Sequence, residues 1–152
     1  MLALSAFLIG VIAGLRAMTP LAAVSWAAWR GWISVAGTWA GFMASPWAVG
    51  IFTVLALVEL VTDQLPSTPS RKVPVQFGTR IVTGAFCGAV LGVATGGWIV
   101  GLIAGAVGAV VGTYGGAWAR GRLAAVFGRD LPAALIEDAV AILGAIIVVG
   151  WL

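Results

Sequence analysis

The sequence predicts an all-α integral membrane protein with about six transmembrane helices, and three observations support this fold class. Of the 152 residues, 62% are hydrophobic and only 9% are charged. The mean hydropathy is +1.13. A soluble domain carries charged residues at about a quarter of its positions, so this chain has too little polar surface to face water. Its apolar residues also fall into windows close to the length that crosses a bilayer.

Six apolar windows follow one another along the chain, separated by charged residues, prolines and glycines. They cover residues 2–15, 21–42, 47–61, 81–94, 98–118 and 131–152. The second window contains Arg30, Gly31 and Gly37. Residues 21–45 therefore either cross the membrane once or form an interfacial helix followed by a short one. Either way, the sequence predicts one transmembrane domain over residues 1–152.

Basic residues cluster in two segments between apolar windows, and the positive-inside rule places both segments on the cytoplasmic side. The first segment contains Arg71, Lys72 and Arg80, and the second contains Arg120, Arg122 and Arg129. With six crossings, both termini then lie outside. This orientation puts Arg16 inside and requires residues 21–42 to cross the membrane, which favours six spans over five.

The two halves of the chain align at an offset of 78 residues. Gly10 then matches Gly88, and Glu59 matches Glu137 within similar apolar segments. The division predicts a first repeat over about 1–66, a cytoplasmic loop over about 64–80 and a second repeat over about 79–152. Three spans in each half would give two inverted-topology repeats, as in many transporters. The alternative is coincidence, since glycine-rich and alanine-rich segments often match by chance.

Glycines recur at the spacing that lets transmembrane helices approach closely. One run has the GxxxG spacing over Gly84, Gly88 and Gly92, and a second forms a stripe through Gly101, Gly105, Gly108, Gly112 and Gly116. We expect these faces to pack a compact bundle.

Four acids in or beside apolar windows are the main candidates for function: Glu59, Asp63, Glu137 and Asp138. Ionised carboxylates inside a membrane are costly and usually face a bundle interior or a water-filled cavity, where they bind protons, cations or polar substrates. Under the duplication, Glu59 and Glu137 would approach each other and share protons. The structural alternative pairs the glutamates with arginines for packing and puts the two aspartates at helix ends.

Arg16 lies in the segment Gly14-Leu-Arg-Ala-Met-Thr-Pro20, which predicts an interrupted helix. Pro20 breaks helices, and Thr19 can cap one. Broken helices expose backbone donors and acceptors that bind ions or anionic groups in transporters. Arg16 could pair with Glu59 or receive a phosphate or carboxylate. The alternative is an interfacial turn from which Arg16 snorkels.

The central loop over residues 63–80 contains several prolines, hydroxyls and cations. Such a loop could hold a phosphate, or it could simply connect two helices on the positive side of the membrane. The candidate phosphate ligands are Ser67, Thr68, Ser70, Arg71 and Arg80.

The segment from Gly14 to Pro20, the stretch from Glu59 to Arg71 and the pair Glu137-Asp138 together resemble a family of small bacterial membrane proteins known as domain of unknown function 4126. The resemblance covers nearly the whole chain. It implies a multi-pass protein of the bacterial cytoplasmic membrane and carries no activity with it.

The residues leave three functions open. The first is a transporter or channel-like carrier with an acidic, proton- or cation-coupled site, whose substrate is an anionic small molecule or a lipid-linked anion. The second is an enzyme or flippase acting on a lipid phosphate, with Mg²⁺ or another cation held by the carboxylates. The third is an accessory subunit of a membrane complex. The site residues would be Glu59, Asp63, Glu137, Asp138, Arg16, Thr19, Arg71 and Arg80.

The remaining features exclude other classes. The chain has no histidine and one cysteine, Cys87, so a disulfide framework, a thiolate-rich metal site and histidine chemistry are excluded. Phosphate-loop, dinucleotide and nucleophile-elbow motifs are absent from the sequence. The net charge of +3 reflects basic residues that flank apolar spans, which argues against nucleic acid as a partner. The expected partners are the bilayer, an anionic small molecule or lipid phosphate, and further copies of the chain in a homo-oligomer.

Overall fold

The computed structural model describes residues 1–65 and 70–152. Within these ranges the chain folds into six α-helices and one short 3-10 helix. The α-helices are α1 (Leu2–Leu15), α2 (Thr19–Trp29), α3 (Pro46–Thr62), α4 (Pro74–Val93), α5 (Trp98–Phe127) and α6 (Asp130–Gly150). The 3-10 helix covers Gly41–Ala44 and lies between α2 and α3.

Three of the helices, α4, α5 and α6, are long and apolar enough to cross a membrane. The helices α1 and α3 are apolar but shorter. At 1.5 Å per residue, α2 is about 16 Å long, which is well under the hydrocarbon thickness of about 30 Å. The fold is therefore an all-helical, membrane-type bundle with three full-length helices and three shorter ones in the described ranges.

Successive helices run in opposite directions, so the α1–α2, α3–α4 and α5–α6 connections lie at one end of the bundle. Contacts of Arg16 with Asp138 and of Arg71 with Glu137 join these connections. At the other end, Leu2 lies close to Gly97 in the α4–α5 turn, and the ring of Phe42 packs on Phe86 of α4. Both termini therefore lie at the end opposite Arg16, Arg71, Glu137 and Asp138.

The helices α1, α4 and α5 pack backbone against backbone. A Cβ built on Gly105 of α5 would lie 2.1 Å from the carbonyl oxygen of Gly84 in α4. One built on Gly108 would lie 2.1 Å from the carbonyl oxygen of Phe7 in α1. The glycine stripe of α5 therefore has a neighbouring helix on each side, which confirms the close packing that the spacing predicts.

The outer surface of the bundle is apolar. Large side chains such as Leu57, Val58 and Ile103 are more than half exposed, with relative exposures of 58%, 52% and 56%. A water-soluble protein rarely exposes contiguous apolar surface on this scale. The surface is suited to lipid, in agreement with the membrane assignment.

The apolar window over residues 21–42 does not form one continuous helix. The helix α2 ends at Trp29, and Gly31, with φ of 77°, turns the chain away. The residues that follow fold back as an irregular cap in which Ser25 donates to the Met43 carbonyl oxygen at 2.7 Å. The alternative of a helix followed by a short one describes this segment better.

The predicted loop over residues 64–80 is also too long. The helix α4 begins at Pro74, so Arg80 is a buried helical residue with a relative exposure of 2%. The fifth helix continues to Phe127, which puts Arg120 and Arg122 on a helix as well. Ser67 and Thr68 lie outside the described residues.

The inverted duplication stays a prediction. Six helices fit two halves of three, but Glu59 lies in the last turn of α3 whereas Glu137 lies near the start of α6.

Replacing Gly105 with alanine is expected to destabilise the bundle. The new methyl group would push α5 away from α4, and overpacking of this kind costs about 1–3 kcal/mol. A thermal unfolding series in detergent would measure the loss as a lower melting temperature.

The matched control for this variant is Gly115→Ala on the same helix, where a Cβ meets no atom within 4 Å. This change should leave stability unaltered or raise it slightly, since alanine favours a helix by up to about 1 kcal/mol over glycine. Equal melting temperatures for the two variants would contradict the close packing of α4 on α5.

Candidate functional site: a charged cluster at a helix break

The first helix is interrupted at Arg16. Its backbone there is extended, with φ of −142° and ψ of 115°, and α2 starts at Thr19 with Pro20 in its first turn. Proline fits the first turn because the amide it lacks has no partner in the helix. The break that the sequence predicts is therefore present, and it leaves carbonyl groups at the end of α1 and amide groups at the start of α2 to be satisfied.

The side chain of Arg16 is fully buried, and three acids surround it. Its Nε donates to Asp138 Oδ1 at 2.6 Å, and its Nη1 donates to Asp63 Oδ2 at 3.0 Å. Glu137 Oε2 lies 3.3 Å from the same Nη1. The guanidinium thus joins the end of α3 to the start of α6, as expected for a buried charge that must be paired.

Arg80 of α4 satisfies the end of α1. Its Nη1 donates to the carbonyl oxygens of Gly14 and Leu15 at 3.0 Å and 2.7 Å. Its Nη2 lies 3.5 Å from Asp63 Oδ2. A cation at these carbonyls also complements the negative end of the α1 dipole.

Glu59 of α3 satisfies the start of α2. Its two carboxylate oxygens accept hydrogen bonds from the backbone amides of Ala17 and Met18, both at 2.8 Å. A carboxylate is favoured there by the partial positive charge of a helix N-terminus. Arg80 of α4 therefore binds the carbonyl groups on one side of the break, and Glu59 of α3 binds the amide groups on the other side.

A second layer of charges surrounds Glu137. Arg71 forms a bidentate pair with its carboxylate, and Arg120 Nη1 donates to Oε2 at 3.2 Å. Arg120 also binds Asp130 with Nε to Oδ1 at 2.9 Å. Gln64 donates to Asp138 Oδ2 at 2.9 Å. The whole set, hereafter the charged cluster, is Arg16, Glu59, Asp63, Arg71, Arg80, Arg120, Asp130, Glu137 and Asp138.

Glycine makes room for part of the charged cluster. A Cβ on Gly116 of α5 would lie 2.9 Å from Arg71 Nη1 and 3.2 Å from Glu137 Oε1. The glycine stripe therefore serves packing over most of its length, while Gly116 gives the Arg71–Glu137 pair the space to lie against α5.

The sequence predicts most of this site. Arg16, Glu59, Asp63, Glu137 and Asp138 come together. The pairing of glutamates with arginines that the structural alternative expects is observed for Glu137, and Asp63 and Asp138 also pair with Arg16. Glu59 and Glu137 do not share partners, because one binds backbone amides and the other binds arginines.

Some positions differ from the prediction, and others were missed. Thr19 is buried, but it does not cap α2, and its hydroxyl has no hydrogen-bond partner among the described residues. The hydroxyl of Ser70 accepts a hydrogen bond from the backbone amide of Lys72 at 3.3 Å. Sequence reasoning missed Arg120, Asp130 and Gln64. One signal in the sequence could have predicted the Arg120–Asp130 pair. Asp130 lies just before the last apolar window, and Arg120 lies just after the window that precedes it.

In residues 1–65 and 70–152, no group of three or more acidic, histidine or cysteine side chains is arranged to hold a metal ion. The carboxylates of the charged cluster face guanidinium groups or backbone amides instead of each other. This arrangement offers Mg²⁺ no obvious set of oxygen ligands.

Two cavities adjoin the charged cluster. One has a volume of about 110 Å³, lies between α5 and α6, and is lined in part by Arg120 and Glu137. The other, hereafter the α2/α3/α6 groove, has a volume of about 210 Å³. Thr19 and Leu60 line it near the break, and Trp26 and Ile146 line it further along. The second cavity connects the break to the lipid-facing surface.

The profile of the family described as domain of unknown function, DUF4126, matches residues 3–151. The chain belongs to this family. No curated protein and no solved structure matches the chain. The family assignment confirms the resemblance carried by the three motifs, and the function of this member has to be argued from its charged cluster.

Replacing Arg16 with glutamine should destabilise the fold strongly. Removing one partner of a buried ion pair costs about 3–5 kcal/mol, because the remaining charges lose their compensation. We expect a large drop in melting temperature and in the yield of monodisperse protein in detergent.

Arg129→Gln is the control, since Arg129 is exposed and lies outside the charged cluster. It should behave like the wild type. A stable Arg16→Gln protein with an unchanged melting temperature would show that the cluster does not hold α1, α3 and α6 together.

Proposed function

We propose that this protein is a small proton-coupled carrier for an anionic substrate, with its anion-binding position at the start of α2 and Glu59 as its proton-binding group. In this proposal the protein crosses the bacterial cytoplasmic membrane six times, and the charged cluster lies at the cytoplasmic end with both termini outside. One observation carries the proposal: Glu59 is the one acid of the cluster that is held by backbone amides instead of arginines.

The pairing in the charged cluster supports this role. Asp63, Asp130, Glu137 and Asp138 each have an arginine within salt-bridge distance. In the described residues, Glu59 has none within that distance, and four arginines face five carboxylates. Protonating Glu59 therefore breaks no ion pair and leaves the rest of the cluster neutral overall. Any other acid of the cluster would lose an arginine partner on protonation.

The charged neighbours of Glu59 are consistent with reversible protonation. The charged side chains that interact electrostatically with Glu59 are Asp63, which follows α3, and Arg80 of α4. Arg80 is already bound to two carbonyl oxygens and to Asp63. Loss of the charge on Glu59 would leave those contacts in place.

The position of Glu59 on α3 also supports a carrier. This helix packs mainly against α2 and the 3-10 helix, and few of its residues are buried. A neutral Glu59 would release the amides of Ala17 and Met18, and an anion could bind them in its place. Proton and anion would then cross together without net charge. The predicted inverted halves fit such alternating access.

A proton-flux assay tests the proposal. The protein is reconstituted into vesicles of phosphatidylethanolamine and phosphatidylglycerol that contain a pH-sensitive dye, with the membrane potential clamped by potassium and valinomycin. After an external acid step, with inorganic phosphate and butyl phosphate supplied outside as anionic substrates, the wild type should acidify the lumen at least tenfold faster than protein-free vesicles. Glu59→Gln should lower the rate to that of protein-free vesicles, because the amide group cannot carry the proton.

Asp130→Asn is the matched control, because Asp130 belongs to the same cluster but its side chain is 57% exposed and lies at its edge. Its flux should stay within about twofold of the wild type. Wild-type flux equal to that of empty vesicles, or full flux in Glu59→Gln, would contradict the proposal. Flux that needs Mg²⁺ would favour the lipid-phosphate enzyme instead.

A further inference from the structure

We infer that the substrate class is an anionic amphiphile: a phosphate or carboxylate head group on a single hydrocarbon chain. The head would bind at the start of α2 in the place now held by Glu59, and the chain would lie in the α2/α3/α6 groove. This inference rests on the proposed function and extends it from anions in general to membrane-soluble ones.

The start of α2 has the features of an anion site. The amides of Ala17 and Met18, immediately before the helix, already bind a carboxylate that the protein itself supplies. A helix N-terminus carries roughly half a positive charge. The hydroxyl of Thr19, a residue that is only 7% exposed and lines the groove, has no hydrogen-bond partner in the described ranges.

An unpaired buried hydroxyl costs free energy unless a partner arrives. A carboxylate spans the two amides with its two oxygens and leaves Thr19 without an acceptor. A phosphate head has a further oxygen that could accept from this hydroxyl. Arg80 Nε, also buried and unpartnered among the described residues, is a second unused donor on an arginine next to the break.

One end of the groove lies beside the break. It starts at Thr19 and Leu60, the neighbours in sequence of Met18 and Glu59, and extends to Trp26 and Ile146. Its walls are mostly small or aliphatic: Ala22, Ala23, Ala56, Leu57, Ile142 and Ala145. In this proposal, the chain of a molecule whose head replaced Glu59 would continue into the groove at its Thr19 and Leu60 end.

The size and lining of the groove fit a hydrocarbon segment. Its volume is about 210 Å³. A water molecule occupies about 30 Å³, so the groove has room for roughly seven groups of that size, such as the methylene groups of a chain. Its lining is almost wholly apolar, and the only polar side chains are those of Thr19, Thr53 and Trp26, of which the last two bind each other at 3.0 Å. A small hydrophilic anion would leave this surface unused.

Binding of three matched probes tests the inference. Dodecyl phosphate carries both head and chain, inorganic phosphate carries the head alone, and dodecanol carries the chain alone. In maltoside micelles, with empty micelles as the blank, calorimetric titration should give one site for dodecyl phosphate. Affinity for each of the other two should be at least tenfold weaker.

Four variants separate the parts of the site. Glu59→Ala should bind dodecyl phosphate at least fivefold more tightly, because the internal carboxylate no longer competes for the amides. Thr19→Val and Ala22→Phe should each weaken binding severalfold, the first by removing a donor and the second by filling the groove. Ala125→Phe, at an exposed position of α5, should leave binding unchanged.

The outcomes distinguish this inference from the proposed function. Equal affinity for dodecyl phosphate and inorganic phosphate would show that the substrate is not an amphiphile, and so would unchanged binding in Thr19→Val and Ala22→Phe. Neither result would decide whether the protein is a carrier, which the proton-flux assay tests separately. Weaker binding of dodecyl phosphate in a folded Glu59→Ala protein would show that Glu59 does not compete with the phosphate for the two amides. If that variant does not fold, the Thr19 and Ala22 variants still decide the matter.

Discussion

The buried guanidinium of Arg16 is the interaction on which the fold at this end of the bundle depends. A permanent charge with no exposed surface is tolerated only when acids surround it. Here Asp63 brings the end of α3 to it, and Glu137 and Asp138 bring the start of α6. The same residue interrupts the helix, so α2 can leave in a new direction. One side chain thus fixes both the break and the convergence of the three helix connections.

The charged cluster divides into a fixed part and a replaceable part. Most of its acids are bound by arginines, and Glu137 contacts three arginines: Arg16, Arg71 and Arg120. Glu59 differs, since its partners are two amides that any anion of suitable shape could bind. Buried ion pairs add little net stability compared with apolar packing, so the cluster is hard to explain by stability alone. In the proposed carrier, the arginine-bound part would keep α1, α3 and α6 in place around the two amides that Glu59 now binds.

Hydropathy, charge and the Gly14–Pro20 segment predicted the helical class, the break and seven of the nine clustered residues, because each depends on local sequence. The end of α2 at Trp29 was missed because a window average does not register a turn made by Gly31 within apolar sequence. Arg80 was assigned to a loop since its segment has many polar residues, yet in the fold it lies against the α1 carbonyls. The roles of Arg120 and Gln64 depend on which helices meet, and a single sequence holds no record of that.

The packing also limits where movement can occur. The helices α1, α4 and α5 meet at glycine backbones, and a shift of either partner would bring carbonyl oxygens into contact with helix backbone. Dense packing of this kind favours discrete arrangements over gradual sliding. By contrast, α2, the cap and α3 form one continuous segment, joined to α1 at the break and held there by Glu59. In the proposed carrier, release of Glu59 would free the amides of Ala17 and Met18. Asp63 would still hold the end of α3 to Arg16 and Arg80, so the change would be confined to the Glu59 side of the break.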